Sequence, residues 1–188
     1  MKILLAACNA KYIHSNLAVY DLKAYSSDYD EHVILREYTI NQPKDEILKD
    51  IYSSGADVVC FSCYIWNIEQ IRKLAADLKM ACPELLLTAG GPEASSRGPA
   101  FARENPWVDF VLRGEGEYPF YRLCQVLHEP QRALETVPGL IYRQDGKIYV
   151  NAEIEPIDFN AVPFPYSMLD CEPDKVVYYE STRGCPFR

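Results

Sequence analysis

The sequence has no run of about 20 uninterrupted apolar residues, the length that a membrane-spanning helix requires. Basic residues are in the minority: 19 Lys and Arg stand against 27 Asp and Glu, which gives a formal net charge of -8 over 188 residues. This balance argues against nucleic acid as the main ligand, since wrapping a phosphate backbone needs a basic face. Low-complexity tracts are also absent and 48% of the residues are hydrophobic, so we expect a soluble globular protein.

The seven cysteines lack the regular spacing of a small secreted disulfide framework. The apolar start of the chain, residues 1–8, is too short for a signal peptide with a cleavage site. We therefore expect a reducing, cytoplasmic location. Cys60 and Cys63 have the C-x-x-C form, but no second pair supplies further zinc ligands, and Cys60 is expected to point into the core.

Strand and helix patterns alternate over the first 130 residues. Segments with helical spacing of apolar residues separate short, continuous apolar runs, which are typical of buried parallel strands. The alternation predicts an α/β fold with a doubly wound, five-stranded parallel sheet, whose ligands lie beyond the carboxyl ends of the strands. The predicted strands cover residues 3–8, 32–37, 57–62, 85–89 and 107–112.

After about residue 130 the pattern changes. Residues 140–150 predict a β-hairpin with an Asp-Gly turn at Asp145 and Gly146. Prolines at 156, 163, 165 and 173 then favour an extended linker, and residues 175–180 predict another strand. We expect three parts: a ligand-binding Rossmann-like domain over 1–130, the hairpin and linker over 131–174, and the first strand of a truncated second domain over 175–188.

The loops at one edge of the predicted sheet have an unusual composition. Glycines at strand ends let backbone N–H groups approach a flat or bulky ligand. Ordinary turn chemistry explains each loop alone, but the three loops after the third, fourth and fifth strands lie on one edge and together favour a binding site. The candidate residues are Asn9 after the first strand, Ser62 and Tyr64 after the third, Gly90, Gly91, Pro92 and Glu93 after the fourth, and Gly114, Glu115, Gly116 and Glu117 after the fifth.

Known phosphate motifs do not match these loops. Residues 114–119 lack the third glycine of G-x-G-x-x-G and follow the last strand, and no G-x-x-x-x-G-K-[ST] motif occurs. A phosphoacceptor receiver requires an acidic residue at the end of a core strand, where this sequence has Ser62. A dinucleotide fingerprint is therefore rejected and a receiver is disfavoured.

Three segments match short motifs in a fixed order along the chain. Residues 90–94 read Gly-Gly-Pro-Glu-Ala, residues 114–117 read Gly-Glu-Gly-Glu, and residues 181–188 read Ser-Thr-Arg-Gly-Cys-Pro-Phe-Arg. Together they resemble the G-G-P-[HE]-[AP] loop, the G-E-G-E loop and the R-G-C-P-x-x-C-x-x-C cluster motif of the cobalamin-dependent radical S-adenosylmethionine proteins. The resemblance implies that residues 1–130 have the flavodoxin-like, cobalamin-binding fold of that family.

The cluster motif bears on the chemistry of the whole protein. In that family three cysteines hold a 4Fe-4S cluster whose open iron binds S-adenosylmethionine, because soft thiolates ligate iron. Cys185 corresponds to the first of the three. The resemblance therefore implies a radical enzyme, for methyl transfer or a related modification, in which the cluster and S-adenosylmethionine belong to the full-length protein. We expect this fragment to be inactive alone and its partners to be cobalamin and the radical domain of the same chain.

The loop after the first strand bears on how cobalt is ligated. A known cobalamin pattern, D-x-H-x-x-G, places its histidine on the metal, but His14 has Tyr12 two residues before it and Leu17 three residues after it. The resemblance instead implies a displaced lower base in a slot bordered by Ser62 and Gly90, with no protein histidine on cobalt.

Two other aspects stay open at this point. Tyr64 and Trp66 either cover a face of the corrin or pack against the third helix. The domain as a whole could also be an interaction or structural domain that has lost its cofactor, or a flavin or nucleotide binder. The missing D-x-H-x-x-G pattern keeps the cofactor-free alternative in consideration.

Overall fold

A computed structural model of the chain describes residues 1–153, 156–167 and 174–184. The strands are β1 (Ile3–Asn9), β2 (Val33–Thr39), β3 (Val58–Ser62), β4 (Leu86–Gly90), β5 (Phe110–Leu112), β6 (Leu140–Gln144) and β7 (Lys147–Val150). The α-helices are α1 (Leu17–Tyr25), α2 (Lys44–Ser53), α3 (Ile68–Ala81), α4 (Pro92–Arg97), α5 (Pro99–Glu104) and α6 (Glu117–His128). Short 3₁₀ turns cover Ser27–Tyr29, Leu134–Thr136, Phe159–Ala161 and Pro165–Ser167.

The first five strands are parallel neighbours in the order β2-β1-β3-β4-β5. This order confirms the predicted doubly wound α/β fold of flavodoxin type. The chain moves outwards from β1 to β2 and then returns past β1 to β3. The loops that follow β1 and β3 therefore diverge, which opens a crevice at the carboxyl edge of the sheet.

The predicted hairpin forms and extends the sheet. β6 pairs antiparallel with β5, with Leu112 opposite Leu140, and β7 pairs with β6. The turn residues Asp145 and Gly146 have φ angles of 50° and 74°, a conformation that the Asp-Gly pair favours. The hairpin covers the edge that β5 would otherwise expose, so the sheet has seven strands rather than the predicted five.

The sheet is buried on both faces. All seven residues of β1 are buried: Leu4 packs in a cluster with α2 and α3, and Leu5 packs in a cluster with α1 and α6. Burial on two faces explains the continuous apolar runs of the central strands. No helix among the described residues is long and apolar enough to cross a membrane. The predicted apolar stripe of α3 is buried as well, at Ile68, Ile71, Leu74, Ala75 and Leu78.

Helix α4 was not predicted. Pro92 and Pro99 each occupy a first helical position, where a missing N–H group costs nothing, and Gly98 separates the two helices with a φ of 46°. A helix of six residues is too short to show an apolar period, and the sequence pattern therefore indicates only one short helix here, around residues 99–104.

The predicted strand over 175–180 does not form. Residues 174–184, here called the cap segment, make one isolated parallel bridge, between Val176 and His14. The Val176 N–H donates to the Ile13 carbonyl oxygen at 2.6 Å, but the Val176 carbonyl accepts from the Ser15 hydroxyl at 2.9 Å. The next backbone N–H along that loop, of Asn16, donates to the Glu37 carboxylate, and the bridge remains isolated.

A buried ion pair holds the cap segment against the sheet. Lys175 Nζ lies 2.9 Å from Glu37 Oε2, and the two side chains are 4% and 2% exposed. Glu37, on β2, also accepts hydrogen bonds from Asn9 Nδ2 at 2.8 Å, from the Asn16 N–H at 2.7 Å and from the Tyr20 hydroxyl at 3.0 Å. One carboxylate thus joins β1, β2, α1 and the cap segment.

The Lys175→Met variant leaves the Glu37 carboxylate buried without its counter-charge, and we expect the free energy of unfolding to fall by about 3 kcal/mol. The matched control is Lys44→Met, because the ion pair of Lys44 with Asp77 is 39% and 34% exposed and solvent screening leaves it little effect on stability. Urea unfolding followed by circular dichroism measures both variants. Equal losses in the two would contradict the importance of the buried pair.

Candidate functional site

Two cavities lie next to each other at the carboxyl edge of the parallel strands. The first, here called the slot, has a volume of about 130 Å³ and lies between the sheet and helices α1 and α6. The second, here called the open cavity, has a volume of about 380 Å³ and lies beside the loop after β1. Ala18 lines both. The slot is also lined by Leu5, Val19, Leu22, Cys60, Phe61, Ser62, Thr88, Gly90, Gly91, Leu112, Gly114, Gly116, Glu117 and Phe120.

The slot exists because two neighbouring strands end in small residues. Ser62 and Gly90 are register partners at the carboxyl ends of β3 and β4, and a Cβ added to Gly90 would meet nothing within 4 Å. Two residues earlier, Cys60 and Thr88 pair in the same way. Side chains alternate along a strand, so these four residues share one face of the sheet. Ser62 and Gly90 form the mouth of the slot, and Cys60 and Thr88 form its floor.

The floor of the slot carries two polar groups. Thr88 is 1% exposed, and its hydroxyl has no hydrogen-bond partner among the described residues that is stronger than the neighbouring Cys60 thiol. Burial raises the pKa of the Cys60 thiol to about 12, although the Thr88 hydroxyl beside it acts in the opposite direction. The thiol is therefore protonated at neutral pH, and the floor offers neutral hydrogen-bonding groups.

The loop after β4 makes a close backbone contact with the loop after β3. Gly91 has a φ of 86°, and a Cβ at this position would lie 2.8 Å from the Cys63 carbonyl oxygen. The Cys63 N–H donates to the Gly90 carbonyl at 2.8 Å, and the Glu93 N–H donates to the Cys63 carbonyl at 3.2 Å. Only glycine allows this approach, so residue 91 fixes the position of the slot mouth.

The loop after β5 contributes backbone to the slot. Gly114 and Gly116 line it, and the Gly114 N–H donates to Ser95 Oγ at 2.8 Å. The side chain of Glu115 lies elsewhere: its Oε2 accepts from the Ile157 N–H at 3.1 Å. Glycine backbone therefore borders the slot, while the first acidic side chain of the loop binds the linker.

Arg183 of the cap segment faces four carboxyl groups. It donates to Glu117 Oε1 at 2.5 Å and to Glu180 Oε2 at 3.0 Å, and it lies 3.8 Å from the carboxylates of Asp21 and Glu115. Burial and the neighbouring Glu117 raise the pKa of Asp21 to about 7, although Arg183 acts to lower it. The Asp21 carboxyl therefore titrates near neutral pH.

The open cavity has an aromatic border. Tyr64 and Trp66 stack on each other, with ring centroids 4.4 Å apart and planes inclined by 12°. Trp66 remains 46% exposed, so aromatic surface is accessible at the cavity. The open cavity is lined by Asn9, Ala10, His14, Ser15, Asn16, Leu17, Ala18, Tyr64, Trp66 and Tyr178.

Asn9 and His14 have partners within the protein. Asn9 Nδ2 donates to the His14 carbonyl oxygen at 2.7 Å as well as to Glu37. His14 Nδ1 lies 2.6 Å from the Tyr178 hydroxyl. Because Tyr178 belongs to the cap segment, that segment forms one side of the open cavity.

The structure distributes the predicted site residues over three places. The slot is lined by Ser62, Gly90, Gly91, Gly114, Gly116 and Glu117. The open cavity is lined by Asn9 and Tyr64. Pro92 and Glu93 form the first turn of α4, and Glu115 faces the linker and Arg183, so these three line neither cavity. Cys185 lies outside the described residues.

Sequence reasoning missed the floor of the slot and the contacts of the cap segment. Thr88 had a usable signal, because it lies two residues before Gly90 in the same strand and therefore on the same face. The pairing of Glu37 with Lys175 had no signal in the sequence, because 138 positions separate the two residues.

The C-x-x-C pair does not form a metal site with other residues. Cys60 and Cys63 belong to different core clusters, and no group of three or more His, Cys, Asp or Glu among the described residues is arranged to hold a metal ion.

The Gly91→Ala variant forces a side chain into a positive φ and against the Cys63 carbonyl, and we expect it to lower the free energy of unfolding by about 2 kcal/mol. Gly90→Ala is the control: its Cβ meets open space, so its stability should stay within about 1 kcal/mol of wild type. Thermal and urea unfolding compare the two. Similar stabilities would show that the close contact does not constrain residue 91.

The Asp21→Asn variant tests the carboxyl cluster. Asp21 has a pKa of about 7 when folded and an ordinary value of 3.8, so the folded state binds more protons between about pH 4 and pH 7 and the wild type loses stability as the pH rises. The variant should match wild type near pH 4 and exceed its stability above pH 7. Urea unfolding at several pH values measures the difference, and a difference independent of pH would contradict the assignment.

The chain is similar in sequence to a known domain family and to known enzymes. A family model described as the B12 binding domain matches residues 3–124. The chain is 30% identical over 142 residues to the cobalamin-dependent radical SAM methyltransferase TokK of Streptomyces tokunonensis, covering 70% of this chain and 21% of that protein. It is 23% identical over 173 residues to an anaerobic magnesium-protoporphyrin IX monomethyl ester cyclase of Rubrivivax gelatinosus, covering 85% of this chain and 31% of that protein.

Solved structures show the same fold. The cobalamin-dependent S-adenosylmethionine radical enzyme OxsB with aqua-cobalamin bound superposes with a TM-score of 0.69 at 19% identity, over 88% of this chain and 24% of that chain. This chain thus spans about a fifth to a third of the length of the curated relatives described above.

Proposed function

Because the chain belongs to the B12-binding domain family, we propose that it holds cobalamin at the carboxyl edge of its sheet, with the lower base in the slot and the corrin at the open cavity. The observation that carries the proposal is the unfilled space beside Gly90, where two in-register strands end without large side chains. The family match favours cobalamin over a flavin or nucleotide and over a domain without a cofactor.

The slot suits a flat heteroaromatic base. Its walls are apolar, with Val19 and Leu22 from α1, Leu112 from β5 and Phe120 from α6. Burying a planar ring between such side chains is favourable, and the few polar groups at the mouth and the floor can orient it. The residues present therefore fit the base of the cofactor.

The open cavity suits a corrin, which is wide and carries amide side chains. Asn16 at its border is buried, and its Oδ1 has no hydrogen-bond partner among the described residues, so it can accept from an amide. Tyr64 and Trp66 supply aromatic surface for the macrocycle. When bound, cobalamin would supply a cobalt centre that can carry a methyl group, and these residues would hold and orient it.

We further propose that no histidine of this chain ligates cobalt. One observation supports this: the loop after β1 lacks the Asp and the Gly of D-x-H-x-x-G. An unligated lower face fits a lower base that lies in the slot.

The longer protein is proposed to be a radical S-adenosylmethionine enzyme. The match to TokK and the Arg-Gly-Cys-Pro motif at residues 183–186 support this, with Cys185 as a ligand of a 4Fe-4S cluster. The ion pairs of Lys175 and Arg183 would hold the chain that leads to that cluster beside the cobalamin site. The described cysteines at 8, 60, 63, 82 and 124 are free thiols, which fits our proposal of a cytoplasmic location.

The Gly90→Leu variant tests the cofactor site. Its side chain enters the slot without meeting protein atoms at Cβ, so we expect the variant to fold and to lose at least about nine-tenths of its cobalamin retention. Purified protein is mixed with hydroxocobalamin, desalted and measured by visible absorbance. The control is Ser53→Leu, which adds the same side chain at an exposed position of α2.

The outcomes separate the candidate functions. Retention by wild type and by Ser53→Leu, but not by Gly90→Leu, supports the proposal. A colourless wild type, or retention of FMN instead of cobalamin in the same assay, contradicts it. Full retention by a folded Gly90→Leu variant would remove the slot from the site.

A further inference from the structure

The floor of the slot contains a buried hydroxyl whose polar neighbour is only a thiol. Thr88 Oγ1 lies beside the Cys60 thiol, a weak hydrogen-bonding group, and has no stronger hydrogen-bond partner among the described residues. Their register partners on the flanking strands are Leu5 and Phe110, which are apolar. Buried hydroxyls in proteins are nearly always paired, because an unpaired one loses its hydration without compensation.

The Thr88 hydroxyl lies at the depth in the slot that the far edge of a bound lower base would reach. Thr88 is two residues below Gly90 on the same face of β4, which corresponds to about 7 Å along the strand. A fused bicyclic base that enters between Ser62 and Gly90 with its nucleotide link at the mouth therefore brings its opposite edge to the floor. The chemistry of that edge decides whether Thr88 gains a partner.

We infer that Thr88 is a specificity-determining residue that favours cobamides whose lower base has a hydrogen-bonding group on the edge away from the nucleotide link. This inference rests on the proposed function. A purine base such as adenine carries nitrogen atoms on that edge. The 5,6-dimethylbenzimidazole base of cobalamin carries two methyl groups there, which offer the hydroxyl no hydrogen bond. The part of the difference that depends on Thr88 is one hydrogen bond, and removal of the hydroxyl isolates it.

The test compares the dissociation constants of adeninylcobamide, cobalamin and cobinamide, which lacks the nucleotide, all in their hydroxo forms. Wild type is expected to bind adeninylcobamide about five-fold more tightly than cobalamin, the worth of one neutral hydrogen bond. Thr88→Val has nearly the same shape without the hydroxyl and should lose this preference. Thr88→Ser keeps the hydroxyl and should retain it.

The outcomes distinguish this inference from the proposed function. Preference in wild type and Thr88→Ser but not in Thr88→Val supports the inference. Equal binding of the two cobamides by wild type, or the same preference in Thr88→Val, overturns the inference while cofactor binding stands. No binding of any cobamide overturns the proposed function as well, and cobinamide binding as tight as that of the cobamides overturns the slot as a base site. Thermal unfolding of each variant without ligand shows whether a loss of binding reflects a loss of folding.

Discussion

The backbone contact between Gly91 and the Cys63 carbonyl is the constraint on which the site depends. It holds the loops after β3 and β4 together, so the two strands end side by side at Ser62 and Gly90. Neither of these residues has a side chain large enough to fill the space between the sheet and helices α1 and α6. The slot is thus a consequence of close backbone packing just beyond the strand ends, combined with missing side-chain volume at the ends themselves.

The cap segment lies at the same edge of the sheet and is held there by ion pairs. Lys175 reaches the buried carboxylate of Glu37, which also orders the loop after β1, and Arg183 reaches Glu117 at the beginning of α6. Two loops that border the cavities are therefore ionically connected to the chain that follows the linker. Asp21 belongs to the Arg183 cluster, and burial together with the neighbouring Glu117 raises its pKa to about 7.

The sequence predicted the fold well where the signal is local and repeated. Buried strands such as β1 and the stripe on α3 have continuous or periodic apolar residues, and the glycine loops follow directly from strand ends. The details that the sequence did not predict involve contacts between distant parts of the chain. Residues 175–180 make a hydrogen bond with the Ser15 hydroxyl instead of a continuous strand, and Glu37 is buried against Lys175. The acidic residues of the Gly-Glu-Gly-Glu loop were expected in one site, yet Glu115 faces the linker, because motif letters do not specify side-chain direction.

We propose that the lower base of the cofactor leaves cobalt for the slot and that no histidine replaces it. Electron paramagnetic resonance of the protein loaded with cob(II)alamin tests this most directly, since an axial nitrogen splits the cobalt lines through its nuclear spin. The account predicts a spectrum without nitrogen splitting, as for cobalamin whose base is detached. A nitrogen-split spectrum would contradict it, because either the base would remain on cobalt or His14 would have taken its place.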